Sequence, residues 1–223
     1  MVNRPLRHNH RPPMFYYERK FRKKGFDFII GVDEAGRGPL AGPVVAGAVI
    51  LKKKRFKNRI DDSKKLSHLQ RQKAFFEIAD NSIFSIGVIN EGIIDRLNIL
   101  EATRLAMENA IYGVIQRLTK LKRFNYKSKE KIFILVDGKV KLNIEYPYLN
   151  IIKGDNRSKS VAAASIVAKF MRDRIMSLYA KIYPQYGFLQ HKGYPTVMHR
   201  RNLKRYGPTI IHRQSFLKCL RQA

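Results

Sequence analysis

The run Val44-Val45-Ala46-Gly47-Ala48-Val49-Ile50-Leu51 contains no polar side chain, and it constrains the fold more than any other stretch of the chain. An uninterrupted apolar run of this length, rich in β-branched residues, is what a strand buried on both faces requires. Its small residues predict tight packing beneath a covering layer. The wider apolar stretch from Pro39 to Leu51 is too short and too rich in Gly and Pro to cross a bilayer. Upstream, Phe28-Ile29-Ile30-Gly31-Val32 predicts another buried strand, separated from the first by the glycine-rich Ala35-Gly36-Arg37-Gly38. Ile83 to Ile89, Ile132 to Val136 and the shorter Leu149 to Ile152 predict three more.

Helical patterns fall between these strands. Ser67 to Ala79 predicts a helix with Ser67 as its N-cap. Ile93, Leu97, Leu100, Met107, Ile111, Val114 and Leu118 keep a three-to-four spacing and predict one long amphipathic segment. An alanine-rich stretch from Ser160 to Ile182 predicts a mostly buried helix stopped by Pro184. Pro195 opens a further helix that Gly207-Pro208 closes. Paired strands followed by alternating helix and strand indicate an α/β domain, a mixed sheet flanked by helices, with a helical C-terminal part. Residues 1–25 are basic and lack periodicity, which predicts a mobile or loosely docked extension; ordered structure is expected from Phe26, with 26–223 as one domain.

Charge narrows the partners. Lys and Arg number 45 against 17 Asp and Glu, a net charge of +28. A chain this basic repels itself unless a polyanion neutralises it, and nucleic acid is the leading candidate. A lysine-rich composition with no partner behind it is the plain alternative. An anionic membrane surface is the other, but no basic amphipathic helix with a strong apolar face stands out. The single cysteine, Cys219, excludes an internal disulfide. With no apolar core of a secretory signal near Met1, a cytoplasmic monomer away from membranes is expected.

In so basic a chain the positions of acidic residues are informative. Asp33 and Glu34 stand at the end of one apolar strand, Asp137 at the end of another, and Asp155 just after a third. Functional groups collect at the carboxyl ends of strands in α/β sheets. Converging carboxylates there repel one another unless a cation joins them, and oxygen-only donors favour Mg²⁺ or Mn²⁺ over zinc. Each residue alone also reads as an ordinary turn or helix-start residue. Neighbours on a regular strand face opposite ways, so Asp33 and Glu34 share a site only if the strand bends or ends there. Gly36-Arg37-Gly38 suits close approach of backbone to a phosphate or sugar, and reads equally as a tight turn. Asp61 to Leu66, with Lys64 and Lys65, reads as a phosphate-contact loop or as a polar lead-in to the next helix. Tyr186 to Thr196 interleaves aromatics, glycines and bases, a mixture suited to stacking on nucleotides or to a loop anchored by core aromatics. A rival chemistry uses His191, His199 and His212 as metal-free acid–base groups with an attacking 2′-hydroxyl. A basic nucleic-acid-binding module without chemistry is the non-enzymatic alternative, but it leaves the carboxylates without a purpose.

Together these residues resemble the ribonuclease HII family. The resemblance runs through Gly31 to Val44, Asp62 to Ser67, Leu97 to Leu100, Val136-Asp137-Gly138, Lys153-Gly154-Asp155, Ala163 to Lys169, Tyr186 to Thr196, and Gly207-Pro208-Thr209 with His212-Arg213 and Ser215-Phe216. It covers residues 26–218 in family order. The related ribonuclease HIII family is less similar, resembling a chain with a separate N-terminal domain and Thr in place of Arg37. The resemblance implies a ribonuclease H-like domain that cleaves RNA in RNA–DNA hybrids, and at ribonucleotides embedded in duplex DNA, with Mg²⁺ or Mn²⁺, two ions per site. It implies Asp33, Glu34, Asp137 and Asp155 as metal-binding and catalytic residues. Gly36, Arg37, Gly38 and Lys64 would contact the substrate, and Tyr194 would stack on the sugar after the cut. A replication-clamp contact is conceivable, but no motif compels one.

Overall fold

The computed structural model describes residues 14–120 and 131–221. The two leading apolar runs lie side by side inside a five-stranded sheet, as β1 (Phe28–Ala35) and β2 (Val44–Leu51). The remaining strands are β3 (Ser82–Ile89), β4 (Ile132–Asp137) and β5 (Tyr148–Ile151), in the spatial order β3-β2-β1-β4-β5. β1 pairs antiparallel with β2 and β2 with β3, whereas β1 with β4 and β4 with β5 run parallel. Every residue of β2 is buried, as its composition requires, because both faces of the sheet are covered.

Two long helices provide the cover. α4 (Ile99–Thr119) packs on one face, where Met107, Ile111 and Val114 meet Ile30, Val32, Ala46 and Ala48. α5 (Lys159–Ile182) packs on the other, where Ala163, Ala164 and Val167 form a core with Val49 and with Phe75 and Ile78 of α2 (His68–Asp80). The glycines in the strands are what permits this approach. A Cβ on Gly31 would lie 2.1 Å from the Ser160 carbonyl carbon, and one on Gly87 would lie 2.0 Å from the Ala106 carbonyl oxygen. No side chain fits either gap.

α2 begins as expected, with Ser67 closing a capping box with Gln70. Other boundaries depart from expectation. The long amphipathic segment is two helices, α3 (Glu91–Leu97) and α4, broken at Asn98, whose φ is +82°. The Asn98 side chain accepts the Leu100 and Glu101 N–H groups at 2.9 and 3.1 Å, so the break is a cap inside a continuous apolar pattern. Thr196, not Pro195, caps the next helix, accepting the His199 N–H at 3.2 Å; that helix, α7 (Val197–Tyr206), follows the short α6 (Phe188–His191). The chain's described part ends in α8 (Gln214–Arg221).

Order also begins before Phe26. α1 (Tyr16–Lys23) buries Tyr17, Glu18 and Phe21 against β1 and β4, with the Phe21 ring stacked 3.7 Å from that of Phe133. Glu18 Oε1 accepts from Ser158 Oγ, Ser160 N and Ser160 Oγ at 2.7–2.8 Å, tying α1 to the start of α5. This part of the expected extension is docked because two aromatics one helical turn apart give a basic helix an apolar stripe. Residues 1–13 lie outside the described residues. Among those described, no helix is long and apolar enough to cross a membrane.

Candidate active site

The site forms where β1 and β4 part company. Their pairing ends at Val32↔Val136, while β1 continues against β2 as far as Ala35↔Val45. Asp33 and Glu34 therefore lie on a strand that neither ends nor loses regularity beside them, contrary to the sequence expectation. They reach one cleft because β1 has no β4 neighbour beyond Val32. This cleft, of about 370 Å³, is lined by Asp33, Glu34, Gly36, Arg37, Gly38 and Tyr194, and on its walls by Ser63, Lys64, Ser165 and Lys169. A second opening of about 910 Å³ is lined by Asp137, Asp155 and Lys64, with Asp62, Lys65 and Asn156. Lys64 belongs to both. The structure thus brings all nine residues implicated by the family resemblance to two adjoining clefts.

Local structure explains each placement. Asp137 closes β4, and its Oδ1 accepts the Gly154 N–H at 2.6 Å, which draws the 3₁₀ turn Gly154–Asn156 and its Asp155 to the same end of the sheet. Lys64 sits on the 3₁₀ turn Ser63–Lys65, capped by Asp62 and pinned to α5 by the Ser165 Oγ to Ser63 Oγ hydrogen bond of 2.8 Å. Lys65 reaches across to Asn156. The polar stretch before α2 is therefore a wall of the site and not simply a lead-in to the helix.

Electrostatically the carboxylates are a strained set. Burial, then the charges of Glu34 and Asp137, pushes the Asp33 carboxyl well above the usual range, against the Glu34 N–H bond of 2.7 Å. Burial raises Asp137 as well, with the Glu34 charge adding to it and the Gly154 N–H opposing. Asp155 is raised by burial, Asp62 and Asp137. For Lys64 burial acts downward, but Asp62, Asp33 and Asp155 outweigh it and raise its affinity for the proton. Such mutual perturbation in a cleft is the electrostatic mark of a functional site.

These residues suit a hard divalent cation by chemistry. All the donors are carboxylate oxygens, and the positive charge would relieve the repulsion that raises Asp33, Asp137 and Asp155. Among the described residues, the second oxygens of Asp33, Glu34 and Asp155 meet no protein donor, because Glu34 N, Arg37 Nη1 and Asn156 Nδ2 each take only the first. As they stand, the side chains do not form a closed cage: no three His, Cys, Asp or Glu among the described residues gather into a metal-binding group.

The histidines play another part. His191, His199 and His212 are buried in the C-terminal region around Tyr186 and Phe188, and none lines the carboxylate clefts. Thr209 N–H donates to His212 Nδ1 at 2.9 Å, so neutral His212 carries its proton on Nε2 and donates it to His199 Nε2 at 3.2 Å. His199 Nδ1–H then donates to the Tyr194 carbonyl at 2.9 Å. Burial pulls both imidazoles down to about 4, which keeps this chain neutral. Their work is to hold the backbone of Tyr194, and the metal-free histidine route finds no support.

Two arginines passed unremarked as single residues in the sequence. Arg172 and Arg213 are fully buried, and each directs its guanidinium at main-chain carbonyls around the Gly36–Pro43 loop. Arg172 also reaches the Lys192 carbonyl at 3.0 Å, stitching that loop to the segment bearing Tyr194. The signal for Arg172 was available: it follows Ala168 by four residues and so shares the buried face of α5.

Comparison with known proteins gives the family and the fold. A model of the family described as ribonuclease HII matches residues 30–219. The ribonuclease HII of Caldanaerobacter subterraneus subsp. tengcongensis is 47% identical over 207 residues, covering 92% of this chain and 80% of that protein. The solved ribonuclease H2 of Pyrococcus horikoshii OT3 superposes with a TM-score of 0.63 at 27% identity, over 84% of this chain and 93% of its own. The ribonuclease HII of Archaeoglobus fulgidus, solved in complex with PCNA, shares the fold with a TM-score of 0.65 at 24% identity, over 84% and 94%. The chain belongs to the ribonuclease HII family, endonucleases that degrade the RNA of RNA–DNA hybrids.

Proposed function

We propose that the joined clefts cut the RNA strand at ribonucleotides embedded in duplex DNA as well as in longer hybrids, leaving 5′-phosphate and 3′-hydroxyl ends. The observation that carries this reading is the set Asp33, Glu34, Asp137 and Asp155, gathered with Lys64 at one end of the sheet, with Asp33, Asp137 and Asp155 raised by burial and neighbouring carboxylates. Unneutralised carboxylates are the wrong lining for a site that only binds phosphate. Mg²⁺ or Mn²⁺ held there, two ions in the full reading, would supply Lewis-acid activation of water and of the scissile phosphate.

The chain's own groups do the rest. Lys64 carries a full positive charge between the clefts and would meet the phosphate next to the cut. Arg37, half exposed beside Glu34 with Nη1 3.4 Å from Oε1, adds a guanidinium that would exchange its weak carboxylate contact for phosphate or ribose. Tyr194 is 39% exposed and faces the cleft, with the Lys169 Nζ and the Arg172 guanidinium each 5.8 Å from its ring centre. It is a platform for a sugar, and the 2′-hydroxyl serves as an identity mark there, not as a nucleophile.

The test is a labelled duplex carrying one ribonucleotide, incubated with and without Mg²⁺ or Mn²⁺, with the cut position and ends mapped. Metal-dependent incision at the ribonucleotide with a 3′-hydroxyl supports the proposal. A cyclic phosphate, or equal cleavage in EDTA, refutes it.

A further inference from the structure

Arg213 is an unusual residue to find fully buried, because among the described residues no carboxylate lies within ion-pair distance of its guanidinium. Its donors go to main-chain carbonyls instead. Nη1 donates to Arg37 O at 3.0 Å, Nη2 to Gly36 O at 2.6 Å and Gly42 O at 2.7 Å, and Nε to Gly42 O at 3.0 Å. Its own N–H donates to Leu40 O at 2.8 Å. A buried cation is costly unless hydrogen-bonded, and this one makes four guanidinium hydrogen bonds, all to a single loop.

The consequence follows from peptide geometry. In a planar trans peptide the carbonyl of one residue and the N–H of the next point in opposite directions. No cis peptide occurs among the described residues. Pinning the Gly36 carbonyl inward therefore turns the Arg37 N–H outward, and pinning the Arg37 carbonyl inward turns the Gly38 N–H outward. Both residues line the cleft that holds Asp33, Glu34 and Tyr194. Among the described residues neither N–H donates to a protein acceptor, although Leu40 N and Gly42 N just beyond donate to Gly193 O and Ile211 O at 2.8 and 2.9 Å. The Leu40 and Gly42 amides are committed, whereas the Arg37 and Gly38 amides are turned to the cleft.

We propose that Arg213 is a positioning residue for cleavage: by gripping the Gly36 and Arg37 carbonyls from behind, it aims the Arg37 and Gly38 N–H groups as a fixed donor pair at the phosphate or ribose of the nucleotide being cut. The inference rests on the cleft being the cleavage site. It makes Arg213, which never touches substrate, part of the reason that the donors stand ready before substrate arrives, and preorganised donors are the ones that accelerate reactions. Arg172 serves the same loop from the other side through Pro43 O and Ala41 O at 3.0 and 3.1 Å, but it grips carbonyls outside the donor pair.

The experiment compares wild type with Arg213→Lys and Arg213→Gln. It measures kcat and KM on a duplex with a ribonucleotide, the Kd for the same duplex in EDTA, and amide hydrogen exchange of Arg37 and Gly38 by NMR with and without duplex. Wild-type Arg37 and Gly38 amides should exchange fast when free and become protected by duplex. Both variants should lose kcat by ~100-fold or more, by analogy with the loss of one preorganised donor. Their Kd should stay within about threefold of wild type, because phosphate contacts elsewhere dominate affinity. Lysine keeps the charge but cannot span the three carbonyls, so recovery of wild-type kcat by Arg213→Lys overturns the proposal in favour of charge alone. A Kd that rises in proportion to the lost activity also overturns it. If neither variant folds, the wild-type exchange measurement decides: no protection of Arg37 and Gly38 by duplex in a protein that cleaves that duplex refutes the donor pair. A wild type that cuts no ribonucleotide strand would instead refute the cleavage-site reading beneath it.

Discussion

Substituting Gly36 and Gly38 separately by alanine should separate the loop's architecture from its chemistry. The sequence suggested that Gly36 and Gly38 both lack a side chain so that substrate can approach. Their surroundings in the structure differ. A Cβ on Gly36 would stand 2.2 Å from Arg172 Nε, 2.5 Å from its Cδ and 2.7 Å from Pro43 O, at a φ of +103°. Arg172 cannot swing aside, because it is fully buried and holds the Pro43, Lys192 and Ala41 carbonyls at 3.0, 3.0 and 3.1 Å. The left-handed backbone costs an L-residue ~1–2 kcal/mol and overpacking a further ~1–3, so Gly36→Ala should destabilise by ~2–5 kcal/mol. At ~2–4 °C per kcal/mol for a chain of this size, Tm should fall by ~4–20 °C. Gly38 has no positive φ, and its Cβ would meet only Tyr194 Cε1, at 3.9 Å. Gly38→Ala should therefore melt within ~2 °C of wild type yet lose about tenfold or more in kcat/KM, as its methyl fills the gap beside Tyr194. Thermal melts and cleavage assays on both variants decide the matter. A Gly36→Ala protein melting like wild type would show that Arg172 yields, and equal destabilisation by both substitutions would remove the distinction between them.

Asp33→Asn or Asp137→Asn should abolish metal-dependent cleavage with duplex binding retained, and full activity of Asp137→Asn in Mg²⁺ would refute the carboxylate assignment. Because the folded state raises Asp33, Asp137 and Asp155, their contribution to stability is present below the ordinary carboxylate pKa and lost as pH rises through the raised values. Metal-free wild type should thus lose Tm relative to Asp33→Asn as pH rises from about 4 toward neutrality, and melts in EDTA across that range would show it. Lys64→Gln should reduce the slope of log affinity against log salt by about one phosphate contact, ~0.9; an unchanged slope would remove Lys64 from the phosphate path. Tyr194→Ala should cost much more kcat/KM on one embedded ribonucleotide than on a long hybrid, which offers many registers. Equal losses on both would make Tyr194 a general support.

What the sequence showed, and what it hid, divides along physical lines. Strands such as Val44–Leu51 were legible because a run with no polar side chain has few other folded uses, and α2 was legible because Ser67 announces a cap. The carboxylates were legible as a set because acidic residues are few in this chain, 17 against 45 basic ones, and sit at strand ends. Hydrophobic periodicity could not show the break at Asn98, since the apolar phase continues across it and a side-chain cap replaces the lost turn. It also missed α1, where Tyr17 and Phe21 are two apolar anchors among basic residues and only tertiary contact with Phe133 gives them value. The gathering of Asp33 and Glu34 depends on where β4 leaves β1, which is a fact of pairing and not of either strand. Arg213 was hidden for a related reason. A basic residue in a chain of net charge +28 reads as one more phosphate contact, whereas its burial among the carbonyls of Gly36, Arg37 and Gly42 turns that charge inward, onto the backbone. Composition counts such a cation toward nucleic-acid affinity. Its position assigns it to the geometry of the cut.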